Sequence, residues 1–209
     1  MKSDGIMKMG VVLGAICLAA AVVLFEVAGH TSGEVKKRQT QERLASLRVV
    51  LPSAATFSDL SAGSSIDYYI GYLENGDPAG YAFIGSARGY SGPIEVMVGI
   101  DPGGTLSGID ILRQSETPGL GDQAVVTGKD RSLWGVLAGT PSAEAPARPW
   151  FQEQFAGKKL KQLRVVKAAE TENIQALTGA TITSKAVVKA VRDSLEAFLR
   201  QQGMDGPEP

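Results

Sequence analysis

The chain has 209 residues, enough for one ordinary domain with an appendage and too few for two full cores. Lys and Arg total 21 against 22 for Asp and Glu, so there is no basic field to hold nucleic acid. The only cysteine is Cys17 and the only histidine is His30, which excludes structural disulfides, Cys-His zinc sites and any Ser-His-Asp or Cys-His catalytic machine. Chemistry in this chain therefore needs a borrowed cofactor, or acidic and hydroxyl side chains.

From Met9 to Phe25 the sequence reads MGVVLGAICLAAAVVLF, 17 residues without a charge, bounded by Lys8 and Glu26. Counted from Met7 to Val27, the stretch covers roughly 30 Å at the helical rise, the hydrocarbon thickness of a bilayer. It predicts a single transmembrane anchor within residues 1–30. A cleaved signal peptide is the alternative, because Lys2 and Lys8 give a positive start and Val27-Ala28-Gly29 offers small residues for a cut. Cys17 follows the bulky Ile16, which suits lipid attachment poorly, and it reads as lipid-facing filler. Lys2 and Lys8 precede the span while Lys36, Lys37 and Arg38 follow it, so flanking charge sets no orientation. Residues 34–51, EVKKRQTQERLASLRVVL, predict an amphipathic helix within a linker at 31–55 that lifts the folded part from the bilayer.

Beyond the linker the pattern changes to period two. IDYYIGYL at 66–73, AGYAFIGSA at 79–87, IEVMVGI at 94–100 and TLSGIDIL at 105–112 predict strands. Short turn-forming segments rich in Gly, Pro, Asn and Asp separate them, which implies antiparallel neighbours. A helical patch around Trp150, Phe151 and Phe155 precedes a fifth predicted strand, KQLRVVK at 161–167, and a long helix closes the chain from about Thr183 to Gln201. The fold class is α+β: an antiparallel twisted sheet packed with helices, preceded by a single N-terminal transmembrane helix. On the closing helix, Val187, Val191, Leu195 and Phe198 recur at helical spacing and predict the packed face, with Lys185, Lys189, Arg192 and Glu196 in water. Trp134, Trp150 and Phe151 predict core or interface packing, and Lys158, Lys159, Lys161 and Arg164 a solvated rim. Residues 203–209, rich in Gly and Pro, predict a disordered tail.

Leu177-Thr178-Gly179-Ala180-Thr181-Ile182-Thr183-Ser184 crowds four hydroxyls at the start of that helix. Thr183 or Ser184 can cap it, and capping alone explains part of the pattern. The first-turn amides and the positive end of the helix dipole also form a seat for a phosphate group, which the Gly179-Ala180 pair lets approach the backbone. Ser115-Glu116-Thr117-Pro118-Gly119-Leu120-Gly121-Asp122 leaves the fourth strand as a Gly-Pro turn. Gly119 to Ala124 fits G-x-G-x-x-A formally, but Pro118 and the antiparallel meander upstream deny it the strand-to-helix context of a dinucleotide fingerprint.

The run TGAT ending at Thr181 resembles the S/T-G-A-T flavinylation motif of the FMN-binding domains in the Rnf and Na⁺-translocating NADH:quinone reductase families. The segment around Glu116 resembles the ETPGLG loop of Rnf G subunits, and Gly89-Tyr90-Ser91-Gly92-Pro93-Ile94 is similar to a third family segment. The resemblance implies an FMN-binding domain at 56–202, with FMN joined through its phosphate to Thr181 by a separate flavin transferase. Thr178, Gly179, Ala180 and Thr183 would surround the attachment point. Thr117, Leu120 and Gly121 would line the isoalloxazine, and Glu116 would fix the loop by hydrogen bonds. It further implies a non-autonomous electron carrier in a ferredoxin:NAD oxidoreductase complex that moves Na⁺ or H⁺, with the other membrane and peripheral Rnf subunits as partners. The chain would be single-pass in the bacterial inner membrane, its N-terminal tip cytoplasmic and its FMN domain periplasmic. Two alternatives stay open: the C subunit of the Na⁺-translocating NADH:quinone reductase, and a membrane-anchored binding or assembly module without flavin. One departure stands out. The family usually places Asp six residues before the acceptor threonine, and here that position is Gln175.

Overall fold

The structure is a computed structural model that describes residues 3–59, 67–125, 149–166 and 172–203. Trp134 and all but the first residue of the predicted disordered tail lie outside the described residues. The chain divides into two units, Met1–Leu44 and Ala45–Pro209.

Helix α1 (Ser3–Val50) supplies the described residues of the first unit and carries the apolar run there. It is long and apolar enough to cross a membrane, and Val11, Leu13, Leu18, Val23 and Phe25 are all exposed along it. The predicted amphipathic segment is the continuation of this helix rather than a separate one. Residues 26–51 hold no proline, and Gly29 and Gly33 each cost only about 1 kcal/mol relative to Ala. Pro52 then pushes the residue before it away from helical backbone and the helix stops.

In the second unit, β1 (Thr56–Asp59), β2 (Tyr68–Tyr72), β3 (Pro78–Arg88), β4 (Pro93–Ile100) and β5 (Leu106–Arg113) form an antiparallel meander in chain order. The β3–β4 register runs from Tyr81 opposite Ile100 to Arg88 opposite Pro93. In the turn before β5 the Asp101 carboxylate accepts the Thr105 N–H at 2.8 Å, the local bond that makes Asp a turn residue. The short strand β1 is an addition to the predicted set. The predicted fifth strand behaves differently: a 3₁₀ turn, Leu160–Gln162, takes up its first half. Among its described residues, Val165–Val166 (β6) pairs, in parallel with Ile174–Gln175 (β7), in a separate two-stranded sheet.

A single helical turn, α2 (Trp150–Glu153), buries Phe151 edge-on against Phe155 and leaves Trp150 exposed. The closing helix, α3 (Thr181–Gln201), lays Val187, Val191, Leu195 and Phe198 on the sheet, all fully buried. The Phe198 ring stacks on Phe83 at 4.8 Å between centroids. Close packing depends on Gly85, where a Cβ would lie 2.6 Å from Ser194 Oγ and also against the Ala190 carbonyl. Strand alternation decides which side each residue serves: Phe83, Val96 and Val98 join the α3 core. Ala82 and Met97 point the other way, where Leu47, Val50 and Leu51 cover them. The end of α1 therefore belongs to the core of this unit, and the Ser107 hydroxyl donates to the Val50 carbonyl that the helix terminus leaves unpaired.

Candidate functional site

Helix α3 begins two residues earlier than predicted, with Ala180 at the N-cap and Thr181 as its first residue. Ala180 offers no side-chain acceptor, so no side chain caps the first-turn N–H groups. The two predicted caps point elsewhere. The Ser184 hydroxyl, fully buried, accepts the Leu177 N–H at 2.9 Å and donates to the Ala180 carbonyl at 3.0 Å. It ties the preceding turn to the helix, and Gly179 takes the left-handed conformation in that turn at φ 76. The Thr183 hydroxyl, in a residue 2% exposed, donates to Glu116 Oε2.

Glu116 is itself only 6% exposed, and its other oxygen, Oε1, accepts the Ser91 N–H at 3.1 Å. One carboxylate thus fastens three segments: the β3–β4 connection, the loop after β5 and the first turn of α3. Two glycines make room for it. A Cβ on Gly121 would lie 2.7 Å from both Glu116 Cβ and Thr183 Oγ1, and one on Gly89 would lie 2.5 Å from Glu116 Oε1. Gly121–Ala124 forms a 3₁₀ turn rather than the long helix of a parallel unit, in keeping with the rejected dinucleotide fingerprint.

Between these segments opens a cleft of about 550 Å³, within the size range of cofactor sites. Glu116, Thr117, Leu120 and Gly121 line one side, and Gly179, Ala180, Thr181 and Thr183 the other. Of the predicted site residues only Thr178 stays out of the lining, exposed on its turn. Tyr90 and Ile182 also line the cleft, 68% and 55% exposed. Neither was selected as a site residue in the sequence, where Tyr90 stood only within the Gly89–Ile94 segment that is similar to the family. With Leu120 they give the opening an apolar rim. Gln175, the residue that departs from the family pattern, is held by its backbone: its N–H donates to Gln154 Oε1 at 2.7 Å, and Gln154 Nε2 donates back to its carbonyl at 3.3 Å.

Residues 89–196, which take in both sides of the cleft, match the family model of the FMN-binding domain. The chain is 32% identical over 213 residues to the G subunit of the Na⁺-translocating ferredoxin:NAD⁺ oxidoreductase complex of Acetobacterium woodii, across 92% of this chain and 91% of the relative. The chain belongs to the G-subunit family of ion-translocating oxidoreductase complexes. The G subunit of the proton-translocating ferredoxin:NAD⁺ oxidoreductase complex of Clostridium ljungdahlii is 33% identical over 181 residues, 86% of this chain and 84% of that one. Among solved structures, the C subunit of the Na⁺-translocating NADH-quinone reductase from Parabacteroides distasonis aligns at 24% identity and a TM-score of 0.48. The alignment covers 68% of this chain and 64% of that one. As a member of the G-subunit family, this protein keeps its FMN-binding domain within the second unit, and the cleft lies inside it.

Proposed function

We propose that this chain is an electron-carrying subunit of a membrane-bound, ion-translocating oxidoreductase complex, with FMN joined by a phosphoester to Thr181. The observation that carries the reading is the different state of four neighbouring hydroxyls. Those of Thr183 and Ser184 are buried and engaged in hydrogen bonds, and Thr178 lies outside the cleft. Thr181 lines the cleft, is partly exposed, and its hydroxyl makes no hydrogen bond among the described residues. The uncapped first turn of α3 supplies N–H groups and the positive end of a helix dipole where a phosphate on Thr181 would sit. Tyr90, Leu120 and Ile182 give a flat ring apolar surface, and Gly121 gives it close access to backbone.

Bound FMN supplies the capacity to accept and release electrons. The residues of the chain hold the phosphate, orient the ring and shield part of it from water. A separate flavin transferase would make the bond, in keeping with a domain that contains no histidine to serve as its own base. The covalent tether keeps a soluble cofactor from being lost outside the cytoplasm. The names of the relatives from A. woodii and C. ljungdahlii, one moving Na⁺ and the other protons, support coupling to one of these ions and partnership with the other subunits of such a complex. Helix α1 would be the single anchor in a bacterial inner membrane, with the FMN-binding domain on the periplasmic side. A C-terminal reporter active only in the cytoplasm would overturn that orientation.

Intact-mass analysis with in-gel fluorescence, on protein from its native membrane, tests the attachment. The wild type should carry the mass of one FMN less one water, and Thr181→Val, which removes only the hydroxyl, should lose both the mass and the fluorescence. Equal flavin in the two proteins would refute the site.

A further inference from the structure

The Glu116 carboxylate does more than its hydrogen bonds require. A neutral glutamine in its place would satisfy the same geometry: its amide oxygen would accept the Ser91 N–H, and its amide N–H would donate to Thr183 Oγ1. The fastening of three segments therefore does not need a charge. Burying a carboxylate costs free energy unless it is well served by donors. This one lines the cleft at 6% exposure with only two neutral donors, and no Lys or Arg among the described residues pairs with it. The carboxylate thus forms part of the wall of the cleft in which the flavin reading places the ring.

We propose that Glu116 is a positioning residue whose fixed negative charge holds the reduction potential of the cleft's flavin low. The inference rests on the flavin reading above. A ring that accepts electrons gains negative charge unless a proton follows, and an adjacent carboxylate opposes that gain. In a cleft partly shielded from water the opposition is screened less than in bulk solvent. The dipole of α3 acts in the opposite sense but is the same in every variant at this position, so exchanging Glu for Gln isolates the carboxylate's share.

The test is a redox titration of the flavin-loaded full chain, purified in detergent and followed by flavin absorbance against reference dyes. Glu116→Gln should load flavin and titrate at a more positive potential than wild type. Glu116→Asp keeps the charge while shortening the reach, and should stay close to wild type. A loaded Glu116→Gln protein at the wild-type potential overturns the inference and leaves the flavin reading standing. Equal positive shifts in Gln and Asp variants also overturn it, because geometry rather than charge would then govern. A wild-type protein that carries no flavin removes the reading and the inference together. A Glu116→Gln protein that fails to load flavin overturns the inference as well, because the residue would then serve binding rather than potential.

Discussion

At the scale of single residues, the cleft depends on which groups are engaged and which are free. Thr178 and Thr181 stand three apart in one run of hydroxyls, yet one is exposed on a turn and the other lines the cleft. Thr178→Val should therefore retain most covalent flavin where Thr181→Val retains none, read side by side by fluorescence in denaturing gels. Gly121 makes a stricter demand. A methyl group there would meet Glu116 Cβ and Thr183 Oγ1, both held by their own bonds and unable to retreat cheaply. Gly121→Ala should destabilise the domain by about 1–3 kcal/mol, the usual range for overpacking, and reduce flavin loading. A thermal melt and a flavin-to-protein absorbance ratio that both match wild type would count against this account. Most residues that line the cleft were legible in the sequence through the TGAT and ETPGLG resemblances, whereas hydroxyls and glycines beside a helix start are by themselves also explained by capping and turns. Tyr90 and Ile182 were not, since exposed apolar residues acquire meaning only when the fold gathers them at one rim.

At the scale of elements, two periodicities carry most of the fold. Alternation in 79–87 and 94–100, with Gly, Ser and Pro between, leads directly to the β3–β4 hairpin, because adjacent short-linked strands pair antiparallel. The apolar stripe of α3 lies where helical spacing places it. The failures are as physical as the successes. TFSD is too short to show a period, and becomes β1 only because β2 offers it an edge. KQLRVVK has strand composition, but pairing partners are not written in composition, and among its described residues the two valines find one. Thr183 and Ser184 look like caps because small hydroxyls favour that role, yet buried partners in Glu116 and Leu177 take their hydroxyls and the helix starts earlier. The α3 stripe gives a quantitative expectation. Phe198 is fully buried and touches Phe83, Tyr68 and Tyr81, so Phe198→Ala should cost about 3–5 kcal/mol. The exposed pairs Lys189–Asp193 and Arg192–Glu196 on the same helix contribute about 0.3–0.5 kcal/mol each. Lys189→Ala should thus barely move the denaturation midpoint that Phe198→Ala shifts strongly. Comparable shifts in the two variants would mean that the wet face of α3 is not solvated as described.

At the scale of the whole molecule, the question is whether the apolar run remains part of the mature chain. A signal peptide would be cut near Val27-Ala28-Gly29, after small residues. That cut falls inside α1, where Val27 already accepts a hydrogen bond from the Thr31 hydroxyl four residues on, as it would within continuous helix. A peptidase needs extended backbone, so cutting there requires unwinding helix on both sides of the bond. The apolar segment also exceeds the usual signal core in length and matches a bilayer crossing. The expected outcome is retention: mass spectrometry should find the N-terminal peptides before residue 27 in the membrane-derived protein. An alkaline carbonate wash should leave the chain in the membrane pellet, and detergent should release it. A mature chain beginning near Gly29 that washes off in carbonate would overturn the anchor, and would require contacts with other subunits alone to hold the domain at the membrane.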